Sequence, residues 1–368
     1  MSGQNDERLV SLDAARGFDM LFIMGFTPVV TALCGLFGAG DCWLAQQMQH
    51  VAWHGFAHHD TIFPFFLFIA GISFPFSLAK QRERGMTTSR TVGKVLYRGL
   101  MLVFLGWVYN GLFTKGFGEV RYASVLGRIG LAWMFAAFLY LVFGLRTRIL
   151  AAVGILVGYW ALMRFVPVPG APAGADVWSH EWNLAGWLDM QYLPHSWKNG
   201  DPEGLLSTLP AIVTAMLGMF TGEFVRSGRE GLTCGRKVAL MLAAAAALAV
   251  GALVFSRWMP INKKIWTSTF VLAAGAYSLA VFAFFYGVID VLKWRRWAFF
   301  FCVIGMNSIL IYMLQRIVSF DSVAGFFLNG LAQHFPKDGA RLVIAIGHVA
   351  SAWLLLWFCS RKKVFLKV

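Results

Sequence analysis

Acidic residues are scarce in this chain: 18 Asp and Glu stand against 32 Lys and Arg, and charged residues of both signs make up 14% of its 368 positions. Soluble globular domains carry nearer a quarter, so that class is excluded. Cysteine is also sparse. The five residues Cys34, Cys42, Cys234, Cys302 and Cys359 contain no CxxC pair, which leaves neither a disulfide framework nor a cysteine-rich zinc site. Cys34 and Cys42 fall near the outer end of the first apolar run, where a bridge and two free thiols are both compatible with the spacing. No internal repeat is visible, and the first twenty residues lack an apolar core followed by a small-residue cleavage site. A cleavable signal is therefore not expected, and the first span itself directs insertion.

What fills the chain instead is apolar: 58% hydrophobic and 16% aromatic residues, with a mean hydropathy of +0.63. Runs such as Val238 to Phe255 have roughly the 18 to 20 residues that a spanning helix requires. The pattern predicts an all-α polytopic membrane protein of about ten transmembrane helices. These fall at roughly 17–35, 61–79, 97–114, 123–144, 147–165, 207–225, 238–256, 266–290, 297–316 and 342–360. With the N-terminus inside, 21 of the 32 basic residues face the cytoplasm, Arg8 and Lys367 among them, and Arg128 lies within a span. The positive-inside rule thus places both termini in the cytoplasm. The net charge of +14 follows from that asymmetry and from attraction to anionic headgroups, with no nucleic-acid partner expected.

Chemistry is concentrated at a few polar islands. The stretch HVAWHGFAHHDTIFPFFLFIAGISFPF, His50 to Phe76, sets four histidines and Asp60 against a bilayer-length apolar run, and ionisable groups there mark a functional site by default. His50, His54 and His58 share one helical face, a spacing compatible with a metal ion. One histidine beside one carboxylate is instead a general base, with His50 and Asp60 as the economical pair and no metal expected. Asp13, Arg16 and Asp19 stand at the mouth of the first span as a structural ion pair or an anion site. Arg128 lies within an apolar helix and needs an anion or a cavity. Asn262, Lys263 and Lys264 mark a helix end, with the lysines read as snorkelling anchors. Asn307 and Ser308 suit polar helix-to-helix bonds.

The longest segment between spans, 166–206, is rich in Pro, Gly, Trp and Tyr and carries Asp176, Glu181, Asp189, Asp201 and Glu203. A long aromatic loop of this kind reads as an ordered lid on the outer side. Its acids suit a cationic or polyhydroxylated ligand, or are ordinary loop polarity.

Taken in order, RLVSLDAARGFDM, HVAWHG, DTIFPFFLFIAGIS, RYASVLGRIG, NLAGWLD, DPEGLLSTLPAIVTAMLGMFTGE, PINKKIWTSTFV, GMNSILIY and RKKVFLKV resemble the heparan-alpha-glucosaminide N-acetyltransferase family of transmembrane acyltransferases. The resemblance runs nearly end to end. It implies a single transmembrane acyltransferase domain over 1–368 that takes acetyl-CoA from the cytoplasmic side and acetylates a glucosamine amine on the opposite face. It makes His50, in the HxxW stretch, the active-site histidine, followed by Trp53, with Asp60 as the aspartate of the D-x-x-FP stretch. Arg8, Asp13, Arg16, Arg121 and Arg128 join the functional core by the same resemblance, and it suggests a homodimer.

Three departures accompany it. Thr27 stands where family members carry an asparagine, the segment 35–49 is longer than in the animal enzymes, and the luminal domain that precedes the first span in those enzymes is not expected here. A small amino sugar or envelope saccharide is accordingly the expected acceptor, in a bacterial inner membrane. Expected contacts are Arg16, Arg98 and Arg128 for coenzyme A, and Trp53, Asp189, Asp201, Glu203 and Asn262 for the acceptor. His54, His58 and His59 are bystanders. Transfer is either direct, with His50 as base, or through an acetyl-histidine. A solute permease and an O-acyltransferase of envelope sugars are the rival readings.

Overall fold

The computed structural model describes residues 9–197 and 200–366, so Arg8 and Lys367 lie outside the described residues. The first span begins earlier than hydropathy places it. Helix α1, Val10–Leu36, carries the SLDAARGFD island inside its first turns and bends at a π-turn, Phe22–Phe26, where Gly25 adopts a φ of +110°. The left-handed conformation there, with the His348 ring packed against the glycine, leaves no room for a β-carbon.

Helices α2 (His58–Glu83), α3 (Thr88–Tyr109), α4 (Val125–Val142) and α5 (Leu145–Phe165) follow. A short helix α6, Leu184–Tyr192, lies within the outer loop. Then come α7 (Thr208–Arg226), α8 (Cys234–Phe255) and α9 (Ser268–Val291). Two short pieces, α10 (Ala298–Gly305) and α11 (Ser308–Leu314), precede α12 (Phe320–Ala332) and α13 (Lys337–Arg361). Among the described residues, nine helices (α1 to α5, α7 to α9 and α13) are long and apolar enough to span a membrane. Several begin on hydroxyl caps: the side chains of Thr87, Ser124, Thr233 and Thr267 accept from the backbone N–H three residues on, satisfying a donor the helix cannot.

The run expected as one helix over 297–316 is broken between α10 and α11. Asn307 leaves helical geometry at φ −129°. Its amide donates to the Val364 carbonyl at 2.8 Å and accepts from the Leu366 N–H at 3.2 Å. The polar side chain thus serves the C-terminal tail, not a facing helix.

Helix α2 is the axis of the bundle, buried along most of its length, whereas α8 exposes most of its residues to the surroundings. Glycine makes the central contact. A β-carbon at Gly218 or Gly222 of α7 would overlap the Phe68 or Ile72 carbonyl of α2, and one at Gly71 the Ala215 carbonyl. Small residues allow this backbone approach, which replaces the hydrophobic drive that lipid does not provide. Trp266 locks the start of α9 into the same core, edge-on to Phe63 at 4.9 Å, with its indole N–H on Thr214. That packing fixes the turn carrying Asn262 and Lys263 beside the N-terminus of α2.

Candidate active site

Asp60 occupies the first turn of α2, where a carboxylate complements the helix dipole, and is 1% exposed. Its Oδ1 lies 2.7 Å from His50 Nδ1 and 3.5 Å from Lys263 Nζ, and its Oδ2 accepts from the Val51 N–H at 3.4 Å. An ionised carboxylate only accepts, so His50 Nδ1 carries the proton and donates it. The lone pair then sits on Nε2. His50 keeps 54% of its side chain exposed and borders a cavity of about 520 Å³.

Lys263 Nζ lies 3.2 Å from His50 Nδ1. Burial pushes this ammonium below the usual lysine range, against the opposing pull of Asp60 and Glu203. The sequence reading made Lys263 a snorkelling anchor; its side chain is instead 19% exposed and turned inward. Asn262, fully buried, causes this. Its Oδ1 accepts from the N–H groups of Lys264 and Ile265 at 2.8 and 3.2 Å, forming a tight turn that sends two adjacent lysines in different directions. Lys264 goes to the face of Trp53, 6.0 Å away.

The cavity wall also holds Glu203, Thr27, His59, Tyr109, Tyr312 and Gln315. Three buried polar atoms on it, Thr27 Oγ1, His59 Nδ1 and Gln315 Nε2, have no hydrogen-bond partner among the described residues. Buried polar groups are normally satisfied, so these atoms are open to a polar partner within the cavity. The two tyrosines stack at 4.5 Å. Glu203 accepts from Arg121, which also pairs with Asp201. Although burial disfavours the Arg121 charge, the two carboxylates hold it above the usual arginine range.

Other expected site residues are placed elsewhere. Trp53 does not line the His50 cavity. Its indole donates to the Trp178 carbonyl at 2.7 Å and its ring meets His180 at 4.6 Å, tying the His50 loop to the outer segment. Trp53, Asp189 and Asp201 border a separate cavity of about 60 Å³. Asp189 accepts from the Leu205 and Asp201 N–H groups at 2.8 and 3.3 Å; burial pushes its carboxyl up to about 6. Arg128, 2% exposed, donates to the Gly204 carbonyl and to Ser207 and lies 5.0 Å from the Trp266 ring. Its Nε and Nη1 are unpartnered. Arg16 donates to Ser73 at 3.0 Å and meets Asp13 at 3.5 Å. Arg98 lies over Trp133 at 4.5 Å with its Nε unpartnered.

The remaining histidines divide among three settings. The His59 ring lies tilted against that of His50 at 4.4 Å, His58 Nδ1 meets the Tyr277 hydroxyl at 3.0 Å, and His54 Nδ1 meets the Asn262 amide at 3.3 Å. Burial lowers the His54 pKa, with Asp176 opposing. Among the described residues, no group of three His, Cys, Asp or Glu side chains is arranged to hold a metal ion. The Cys34 and Cys42 sulfurs lie 3.6 Å apart as free thiols.

No protein-family model matches the chain. Over 98% of its length it is 26% identical to the heparan-alpha-glucosaminide N-acetyltransferase of Homo sapiens and 27% identical to that of Mus musculus. The chain is a relative of the heparan-alpha-glucosaminide N-acetyltransferases. It spans 60% of the length of these two relatives.

Lys263 is the residue that reading the sequence missed. Its signal was its place directly after Asn262 in PINKKIW, but nothing local separates an inward lysine from its outward neighbour. Thr27 was marked only as a departure from the family's asparagine, and Tyr109, Tyr312 and Gln315, from distant segments, carried no signal beyond polarity within apolar runs.

Proposed function

We propose that the protein is a transmembrane acetyltransferase that moves an acetyl group from cytoplasmic acetyl-CoA to the amine of glucosamine, or of a terminal glucosaminyl residue, on the outer side. The observation that carries this reading is the His50 imidazole, oriented by a buried carboxylate, with its Nε2 free beside a 520 Å³ cavity that holds unpartnered polar atoms. A solute-binding cavity needs the polar wall but not an oriented base, which favours chemistry over transport.

The amine arrives as ammonium and must lose two protons. Nε2 of His50 takes the first, freeing the nitrogen lone pair to attack the thioester carbonyl. A C–N bond forms, and the C–S bond breaks as the nitrogen sheds its second proton. One proton ends on the coenzyme A thiol and the other leaves to solvent. Asp60 fixes the tautomer and stabilises the charge the ring acquires when it takes the proton. Glu203 faces the incoming ammonium. Direct transfer suffices, since proximity in a ternary complex accounts for the chemistry. Arg16, Arg98 and Arg128 serve the donor's phosphates or its channel, and 166–206 acts as the lid. A homodimer in an inner membrane, with both termini cytoplasmic, completes the reading.

In reconstituted vesicles, His50→Ala abolishes transfer from labelled acetyl-CoA to glucosamine, read by mass spectrometry of the sugar. Wild-type turnover in a folded H50A protein eliminates the assignment, and transport of unmodified glucosamine by the wild type establishes the permease instead.

A further inference from the structure

Far from the His50 cavity, the turn between α7 and α8 frames a second pocket, of about 630 Å³. Arg226, at the end of α7, Arg229 in the turn, and Arg236 in the first turn of α8 line it. Their charges are largely unspent. Among the described residues the side chains of Arg226 and Arg229 form no hydrogen bond or ion pair, and Arg236 donates only to the Gly231 carbonyl, at 3.3 Å. Lys237, by contrast, is consumed: its Nζ donates to the Val225 and Ser227 carbonyls at 2.6 and 2.8 Å, capping α7.

The local field is positive beyond these side chains. Two helix N-termini, those of α5 and α8, meet at the pocket, and neither has an acid in its first turn. Such termini ordinarily attract carboxylates, because the helix dipole is positive there. Of the two glutamates lining the pocket, Glu223 is engaged by Arg148 at 2.9 Å. Arg148 is 5% exposed, and its Nε and Nη1 have no partner. Glu230 is left as the single unengaged carboxylate facing three arginines.

The rest of the lining selects the form of the anion. Phe224, Leu145 and Leu240 continue from the pocket onto the outside of the bundle, where the two leucines are 42% and 44% exposed. A soluble anion gains nothing from that apolar surface. Acyl chains do, and the turn lies at the membrane face to which the positive-inside rule assigns the cytoplasm.

We propose that this pocket binds the phosphate headgroup of an anionic phospholipid, with the arginines on the phosphate and the acyl chains along α8. The lipid supplies the negative charge that the two helix N-termini lack and holds the α7–α8 turn at the membrane surface.

The test is native mass spectrometry of the full chain in detergent, titrated with phosphatidylglycerol or phosphatidylcholine. The expected result is a preference for phosphatidylglycerol of about tenfold or more, lost in the R226Q/R229Q double variant and strengthened in E230Q. Coenzyme A, added in excess, does not displace the lipid. A double variant that keeps the full preference, an E230Q protein with unchanged affinity, or displacement by coenzyme A overturns the proposal. The last result reassigns the pocket to the donor nucleotide. Thermal unfolding of each variant checks the fold, and the E230Q arm reads a gain that unfolding does not mimic.

Discussion

Replacing Asp60 by Asn removes one charge and almost no volume, and the structure indicates why it is costly. Oδ1 serves both His50 and Lys263, while Oδ2 accepts from the Val51 N–H. An asparagine has one acceptor and one donor end. If its oxygen takes the Oδ1 place, its NH2 group opposes the Val51 donor. If it flips, its NH2 group faces His50 and Lys263, and His50 answers with the other tautomer, placing a proton on Nε2 and removing the base. A charge-assisted hydrogen bond at a buried site contributes roughly 1.5 to 3 kcal/mol. At about 1.4 kcal/mol per tenfold in rate, kcat falls roughly 10- to 150-fold. The assay is steady-state transfer from labelled acetyl-CoA to glucosamine in vesicles, with KM for acetyl-CoA expected to be unchanged. A folded D60N protein with kcat within about threefold of the wild type refutes the orienting role.

Three further outcomes are expected. Lys263→Met removes the cation 3.5 Å from the Asp60 carboxylate and lowers kcat by about tenfold while KM for acetyl-CoA holds; wild-type kcat in a folded K263M protein removes Lys263 from the site. Glu203→Gln leaves an acceptor of similar shape without charge, raising KM for the amine by about tenfold while KM for acetyl-CoA holds; an effect on the donor alone places Glu203 elsewhere in the reaction. Asp189, with its carboxyl raised from 3.8 to about 6 by burial, binds a proton more readily folded than unfolded. Its contribution is therefore fully present below about pH 4 and is lost as pH rises through about 6, by up to about 3 kcal/mol. Thermal unfolding across that window shows stability declining, and a flat profile in the wild-type protein contradicts it.

The legible part of the site was the part whose members are close in sequence. His50 and Asp60 sit ten positions apart at the edge of an apolar run, which marked them as the economical pair, while their 2.7 Å contact is a finding of the structure. Glu203 was expected as an acceptor contact on the same footing as Asp189 and Asp201. The structure puts Glu203 on the His50 cavity wall and Asp189 and Asp201 on the smaller one, although Glu203 and Asp201 share Arg121. The run at 297–316 shows the converse failure. Hydropathy averages over its window and is blind to Asn307, whose hydrogen bonds to the C-terminal tail break the helix.

By itself the sequence determined the membrane class, the all-helical fold and nearly every spanning segment, because each depends on hydropathy within one segment, and spacing singled out His50 and Asp60 as a candidate pair. It also carried the likeness to the N-acetyltransferases from end to end. Only the tertiary structure decided which of two adjacent lysines meets Asp60, which polar groups share the cavity, and where the arginines at the α7–α8 turn gather. Lys263 is 213 positions from His50. They meet because glycine contacts seat α7 on α2 and Trp266 anchors α9 beside them, and a packing geometry set by backbone contact between distant helices leaves no periodic trace in the chain.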